Sequence, residues 1–321
     1  MDSPPPFVAF GLTVSLHLPL CTGVKTVLLP DPSPEAAGKQ FLKYKPNYYV
    51  AGPAHIEAIL DQPKAQKMDF SFLKLLATGG YALPASAEQH INDFLKSHHC
   101  KTRVFQGYGM TELAATVCTG KPDVIQFGTV GIPLPDTNVK VIDMESGAEL
   151  GFGQQGEVCF MAPSVMAVYY KNEEETNSIL KKHGDGQWWI HTGDIGTIDN
   201  NGFLTIVGRI KRMICTVEGN TYHKFFPKLL EEQFERLPGV QSAIIVGNST
   251  CPEECELVAF VVADASHPVK EEELKAFADE NFASYERPAE YRFVDKLPRT
   301  QLDKVDFCAL EREAQKVIPP Q

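Results

Sequence analysis

The stretch Trp188-Trp189-Ile190-His191-Thr192-Gly193-Asp194 ends on a carboxylate set in a bend, where Gly193 lets the backbone approach a ligand closely. An ionised carboxylate accepts hydrogen bonds on both oxygens, so Asp194 is suited to the paired hydroxyls of a ribose. Further along, Asp199-Asn200-Asn201-Gly202 favours a tight hairpin turn. The apolar run from Phe203 to Val207, which includes Ile206, then returns the chain to Arg209. Carboxylate and guanidinium are expected to converge from opposite strand ends, a geometry that suits a nucleotide.

Two more segments carry residue types of the same chemistry. In Gly107-Tyr108-Gly109-Met110-Thr111-Glu112, Tyr108 offers a face for stacking on a purine and Thr111 a hydroxyl for a phosphate. Glu112 offers a carboxylate able to hold a Mg²⁺ that bridges phosphate oxygens. In Ala77-Thr78-Gly79-Gly80-Tyr81-Ala82-Leu83-Pro84, Gly79 and Gly80 leave bare backbone against which a flat ligand can lie.

These segments need elements to position them. From Phe7 to about Gly120, apolar runs such as Val27 to Leu29 alternate with helical patterns. Ser33-Pro34 reads as a cap and first-turn proline opening a helix that reaches Tyr44. Tyr48 to Ala51 reads as a strand, His55 to Leu60 as a helix, Leu75 to Thr78 as a strand, Pro84 to Ser97 as a helix and Val104 to Gln106 as a strand. The expected fold is α/β, a mostly parallel sheet with helices on both faces, and ligands collect beyond the carboxyl ends of such strands. Both glycine-bearing segments read as loops at that position.

From Val124 to Gly208 the pattern changes to short alternating runs separated by turns, including Val139 to Ile142 and Gly156 to Phe160, which implies a β-rich subdomain. Beyond Arg209, Phe226, Leu229, Leu230, Phe234 and Leu237 fall at helical spacing before Pro238-Gly239. Strands are expected at 242–246, 257–262 and 291–294 and a helix at 271–282, a small α+β unit. The partition is therefore 1–123, 124–208 and 209–321.

With 321 residues the chain can bury a sizeable core and exceeds the roughly 250 to 300 residues at which single cores stop growing. Thirty Lys plus Arg against 41 Asp plus Glu give a net charge of −11, without a basic stripe for nucleic acid. The eight cysteines include no Cys-x-x-Cys pair and read as reduced thiols. No apolar run reaches bilayer-spanning length and the N-terminus lacks the order of a signal peptide, so a cytoplasmic protein is expected.

Taken in order, these segments resemble the adenylate-forming superfamily: AMP-forming acyl-CoA synthetases, luciferases and the adenylation domains of peptide synthetases. Gly107 to Glu112 resembles its Tyr-Gly-x-Thr-Glu signature, and Thr192-Gly193-Asp194 and Gly208-Arg209 resemble its Thr-Gly-Asp and Gly-Arg signatures. Gly128 to Pro133 resembles Gly-x-x-Gly-x-Pro, Gly153 to Glu157 resembles Gly-x-x-Gly-Glu, and Tyr169 with Thr176 matches a spaced Tyr and Thr. Leu297 to Asp306 resembles Leu-Pro-Arg-Thr-x-x-Gly-Lys-x-Asp.

The resemblance implies a carboxylate attacking the α-phosphate of ATP with loss of pyrophosphate, followed by acyl transfer to the thiol of coenzyme A or of a carrier's phosphopantetheine. It implies Lys304, Thr111 and Glu112 as catalytic groups, with Glu112 on Mg²⁺. Nucleotide contacts fall to Gly79, Gly80 and Tyr81, to Gly107, Tyr108 and Gly109, and to Asp194, Ile206 and Arg209. Phe7, Gly11 and Met110 line the acid pocket, and Lys211 is the hinge of a mobile C-terminal lid. A small carboxylic acid is the implied substrate, and a carrier protein or a separate N-terminal chain the implied partner.

Departures accompany the match. The family's Ser/Thr/Gly-rich phosphate loop should lie upstream of Phe7, and residues 1–321 contain no such loop. Val8 stands where His is common, Glu218 stands at the first glycine of a Gly-Gly pair, and Asp303 replaces the Gly before the catalytic lysine. The chain alone is expected to be weakly active or inactive, and two other readings stay open: a non-catalytic AMP- or acyl-adenylate-binding regulatory module, and an assembly subunit of a split synthetase.

Overall fold

The structure is a computed structural model that describes the chain except residues 2, 3, 30, 122, 250, 252–254, 265, 266, 301–303 and 316–321. It divides into two compact units, Met1–Ile206 and Val207–Gln321.

The first unit opens with a π-helical turn, Gly11–His17, that runs into α1 (Leu18–Cys21). The apolar run 27–29 forms no strand, having no neighbouring strand to pair with among the described residues. Ser33 Oγ then accepts from Ala36 N at 3.3 Å and caps α2 (Pro34–Tyr44), with Pro34 in the first turn. There follow β1 (Tyr48–Ala51), α3 (Pro53–Leu60), β2 (Leu75–Thr78), α4 (Ala85–Ser97) and β3 (Val104–Met110). Strands β1, β2 and β3 pair in parallel. Their alternation puts Tyr49, Ala51, Leu76 and Val104 into one core with Phe41 of α2, Ile56 of α3 and Ile91 of α4.

Beyond β3 the sheet turns antiparallel through β4 (Ala115–Thr119) and β5 (Ile132–Pro133), giving the order β1-β2-β3-β4-β5. The segment read as a loop at 107–112 is mostly strand: Gly107 pairs with Thr119, Tyr108 with Cys118 and Met110 with Ala115. Only its tip, Thr111–Leu113, leaves the ladder, as a 3₁₀ turn. Ala114 and Ala115 close the tip at φ 55° and 100°, backbone regions that cost a residue with a Cβ about 1–3 kcal/mol.

A second sheet holds β6 (Asn138–Ile142), β7 (Gly156–Met161), β8 (Leu180–Lys182), β9 (Trp188–Ile198) and β10 (Leu204–Arg209), with the short α5 (Glu173–Ile179) before β8. The order is β10-β9-β7-β6, with β8 also on β9. Asp199 Oδ1 accepts from Asn201 N at 2.8 Å and Phe203 N at 2.9 Å, fixing the β9–β10 turn that Asn201-Gly202 announces. Leu113 and Val117 of the β3–β4 hairpin share one core with Val158, Phe160, Ile190 and Leu204. That apolar contact presses the hairpin onto the second sheet.

The second unit contains the hairpin β11 (Ile214–Glu218) and β12 (Thr221–Phe225), then α6 (Lys228–Phe234), β13 (Val240–Gly247), β14 (Leu257–Ala263), α7 (Glu271–Asn281), β15 (Glu290–Phe293) and α8 (Phe307–Ala314). β14 pairs antiparallel with β13 and parallel with β15. Phe226 and Leu237, read with the amphipathic helix, flank it outside α6. Among the described residues no helix is long and apolar enough to cross a membrane.

A buried ion pair starts this unit. Glu231, 5% exposed, takes Arg212 Nη2 at 2.6 Å and Nη1 at 3.3 Å, and its Oε1 also accepts from Ile245 N at 2.8 Å. Breaking one side leaves a buried charge uncompensated, so Glu231→Ala is expected to cost the second unit about 3–5 kcal/mol in urea unfolding. A loss under about 1 kcal/mol would show that water reaches the pair.

In the first unit, Glu88 of α4, 1% exposed, accepts from Gln106 Nε2 at 3.0 Å and Gly128 N at 3.2 Å. Burial nevertheless raises its carboxyl above the ordinary range, against the pull of both hydrogen bonds. A raised folded value means that its contribution is fully present below the unfolded value, about 4.3, and is lost as pH rises through the folded one. Glu88→Gln is expected to remove that loss, so the stability difference between variant and parent should grow with pH from roughly 4 to 7. A pH-independent difference in chemical unfolding would contradict it.

Candidate nucleotide site

Tyr108 and Asp194, 86 positions apart, meet: Tyr108 Oη donates to Asp194 Oδ2 at 2.5 Å. Tyr108 is half-buried, its ring stacked on Phe160 at 5.8 Å and 22°. Asp194 is 4% exposed. The first sheet thus supplies an aromatic ring and the second a carboxylate at one point.

The bend expected before Asp194 is a bulge inside β9. Glu157 pairs with Ile195 and Cys159 with His191, so Thr192, Gly193 and Asp194 stand opposite Val158 alone. Extra residues in one strand re-aim side chains, a device common beside binding sites. Thr192 Oγ1 donates to Val158 O at 2.7 Å and accepts from Asp194 N at 3.0 Å, while Gly193, at φ 68°, donates N–H to Glu157 Oε1 at 3.0 Å. Glu157 Oε2 lies 2.8 Å from His191 Nδ1. Burial works against ionisation of Glu157, but the bond and charge of His191 and the Gly193 N–H hold its carboxyl below the ordinary range.

At the hairpin tip Thr111 is exposed and Glu112 half-buried. Tyr169 Oη donates to Glu112 Oε1 at 2.5 Å, and Met166 N donates to Glu112 O at 2.8 Å. Burial, then the carboxylate at its hydroxyl, push the Tyr169 phenol above its ordinary range. Met110, Tyr108 and Ile206 all pack on the core shared by hairpin and second sheet.

Gly79 and Gly80 follow β2, between β1 and β3 in the parallel part of the sheet. A Cβ on Gly79 would lie 3.2 Å from Gly107 O and 3.7 Å from Phe10 Cζ, so the two glycine-bearing segments and the Phe10 ring adjoin. Tyr81 is exposed, and its Oη accepts from Ala54 N at 2.7 Å. Of the remaining pocket residues, Phe7 is 75% exposed, while Gly11 is buried where a Cβ would meet Pro5 O at 2.1 Å.

Arg209, Lys211 and Lys304 belong to the second unit, and all three are exposed. Lys304 sits on a loop closed by Thr300 N to Lys304 O at 2.7 Å and Asp306 N to Pro298 O at 2.8 Å. Asp303 lies outside the described residues. Three features escaped the reading of the sequence. Phe160 carried no signal beyond strand alternation, and the pairing of Tyr169 with Glu112 spans 57 positions. The third is the Thr78 hydroxyl, buried beside Gly79 with no hydrogen-bond partner among the described residues.

Comparison with known proteins bears on the same segments. The family described as AMP-binding enzyme matches residues 3–170, and the AMP-binding enzyme C-terminal domain matches residues 229–304. A long-chain-fatty-acid CoA ligase of Escherichia coli O157:H7 is 31% identical over 314 residues, covering 97% of this chain and 53% of the relative. A probable 4-coumarate CoA ligase of Dictyostelium discoideum is 31% identical over 94% of the chain and 53% of its own length. ATP-bound MatB from Rhodopseudomonas palustris superposes with a TM-score of 0.86 at 25% identity, covering 98% of this chain and 59% of that one. The chain spans about half the length of the curated relatives it matches.

A hydrogen bond from a phenol to a buried carboxylate contributes about 1.5–3 kcal/mol. The cycle of Tyr108→Phe and Asp194→Asn, read by urea unfolding, is therefore expected to give a coupling energy above about 1 kcal/mol. Additive losses would show that the two side chains do not support one another.

Proposed function

The chain belongs to the AMP-binding enzyme family, and on that premise we propose that it forms the nucleotide-holding and lid-bearing part of an AMP-forming carboxylate–CoA ligase. The observation that supports the reading is the bond between Tyr108 and Asp194, which brings two of the family's separated signatures together.

In this proposal Asp194 takes the ribose hydroxyls, Tyr108 and the backbone of the segments that hold Gly79, Gly80, Gly107 and Gly109 take the purine, and Tyr81 and Ile206 flank it. Thr111 donates to the α-phosphate. A small carboxylic acid lies toward Phe7, Gly11 and Met110, and its oxygen attacks that phosphorus. Lys304 and Arg209 supply positive charge as negative charge builds on the phosphate oxygens, and pyrophosphate leaves. Coenzyme A then displaces AMP from the acyl-adenylate through its thiol. Lys211 is the hinge about which residues 209–321 turn between the two steps, with 1–123 and 124–208 as the parts that stay.

Glu112 suits a Mg²⁺ that keeps water and phosphate oxygens as its other ligands, because a carboxylate bonded once to Tyr169 retains further lone pairs. Bound there, the ion would neutralise phosphate charge. The outgoing pyrophosphate needs backbone amides of a glycine-rich loop, which a further segment or separate chain would supply. Eight free cysteines fit a reducing compartment, the cytoplasm.

Calorimetry with AMP is expected to show binding tighter than about 1 mM by the chain alone, weakened at least about tenfold in Asp194→Ala. Pyrophosphate exchange with a panel of carboxylates, run after adding a phosphate-loop segment, should appear for the parent and vanish for Lys304→Ala while AMP binding persists. Absence of AMP and ATP binding would overturn the reading. Binding without exchange for every acid would instead identify a module that holds the nucleotide and performs no chemistry.

A further inference from the structure

On the far side of Glu157 from the bulge lies a cluster that the adenylating site does not use. Lys140 of β6, Cys159 of β7 and His191 of β9 are direct cross-strand partners, so the three side chains share one face in a row. The hairpin that joins β8 to β9 folds His183 onto the end of this row. His183 Nε2 lies 2.9 Å from His191 Nε2, the rings 5.1 Å apart at 57°. The ligand atoms of Cys159, His183 and His191 all lie within 4.8 Å of one another.

We propose that Cys159 Sγ, His183 Nε2 and His191 Nε2 form a binding site for one zinc-class divalent cation, with solvent as the fourth ligand. Two imidazoles and a thiolate are a donor set that selects a borderline-soft ion such as Zn²⁺ over Mg²⁺ or Ca²⁺. The carboxylate at His191 Nδ1 settles the tautomer. An ionised Glu157 only accepts, so Nδ1 carries the proton and Nε2 presents a lone pair toward His183 and Cys159. A metal-binding imidazole backed by a carboxylate is oriented in this way.

In the empty cluster His183 Nε2–H donates to that lone pair. When the ion binds, His183 takes the other tautomer, and the Cys159 S–H bond breaks with its proton passing to solvent as the sulfur–metal bond forms. With tetrahedral Zn–N distances of about 2.0–2.1 Å and Zn–S of about 2.3 Å, the two imidazole nitrogens, 2.9 Å apart, have to separate by roughly 0.4 Å and the sulfur has to approach them by about 1 Å. His183, on a hairpin whose residues 184–188 are exposed, has room to make that shift.

The surroundings accept the charge. Lys140 Nζ is engaged by Asp185 at 3.4 Å and Glu149 at 3.9 Å and lies over the Trp189 ring at 3.9 Å. Lys181 and Glu157 are the other charged groups near the thiol. The cation would pin the β8–β9 hairpin to β7. It would also brace the Glu157 carboxylate that holds Gly193, the neighbour of Asp194.

Co²⁺ titration of the chelator-stripped full chain tests this. One equivalent is expected to produce tetrahedral visible bands together with a near-ultraviolet thiolate-to-cobalt band, both bleached by Zn²⁺. His183→Gln, on the exposed hairpin and therefore tolerant of substitution, should abolish the one-equivalent signal, and Glu157→Gln should weaken it about 10- to 100-fold. Cys159→Ser should remove the near-ultraviolet band, while Cys308→Ser, in the second unit, should leave it unchanged. Failure to bind Co²⁺ and Zn²⁺, or a signal that survives His183→Gln, would overturn the proposal and leave the cluster as a hydrogen-bonded pair of imidazoles.

Discussion

A carboxylate buried to the extent of Asp194 must be met by donors, because removing an ion from water without them costs several kcal/mol. Here a donor comes from far along the chain, to a carboxylate whose aim is set locally. Thr192 and Gly193 shape the bulge from within β9, and the phenol of Tyr108 arrives from a different sheet. The hydrogen bond is therefore one register mark between the two sheets, beside the backbone bonds of Leu204 with Val130 and Gly131. Apolar packing of Leu113, Val117, Phe160 and Leu204 brings the sheets together, and the polar pair fixes how they meet. In the proposed nucleotide site, a surface assembled in this way would be formed before a ligand arrives, which lowers the ordering cost of binding.

Much of the scaffold was legible because its signals are local. Ser33 and Pro34 carry a helix-start signal in their own side chains, and β1 and β2 coincide with the short apolar runs read as strands. Residues 107–112 misled because alternating glycines imitate a loop. Only the partner strand shows that Gly107 and Gly109 face backbone across a ladder, and that partner lies beyond the tip. The run 27–29 misled in the opposite sense, since β propensity without a neighbouring strand makes no strand.

At the site, residue types were legible and orientations were not. Tyr108, Glu112 and Asp194 could be named from their motifs, but the bulge that aims Asp194 depends on a register shift between β7 and β9. The engagement of Glu112 by Tyr169 depends on a segment that sequence patterning left structural. In the second unit, Asp306 caps α8 by accepting from Ala309 N at 3.0 Å and ends the loop that carries Lys304.

The spacing between Tyr108 and Glu112 is governed by one glycine. Any Cβ at Gly109 would fall 1.5 Å from Ala115 O, inside the returning strand, and the two alanines at the tip already occupy unfavourable backbone regions. A side chain cannot enter the hairpin at this position without prising its strands apart. The interval from ring to acid is in effect a fixed ruler, so divergence in ligand choice has to be written into the walls around it.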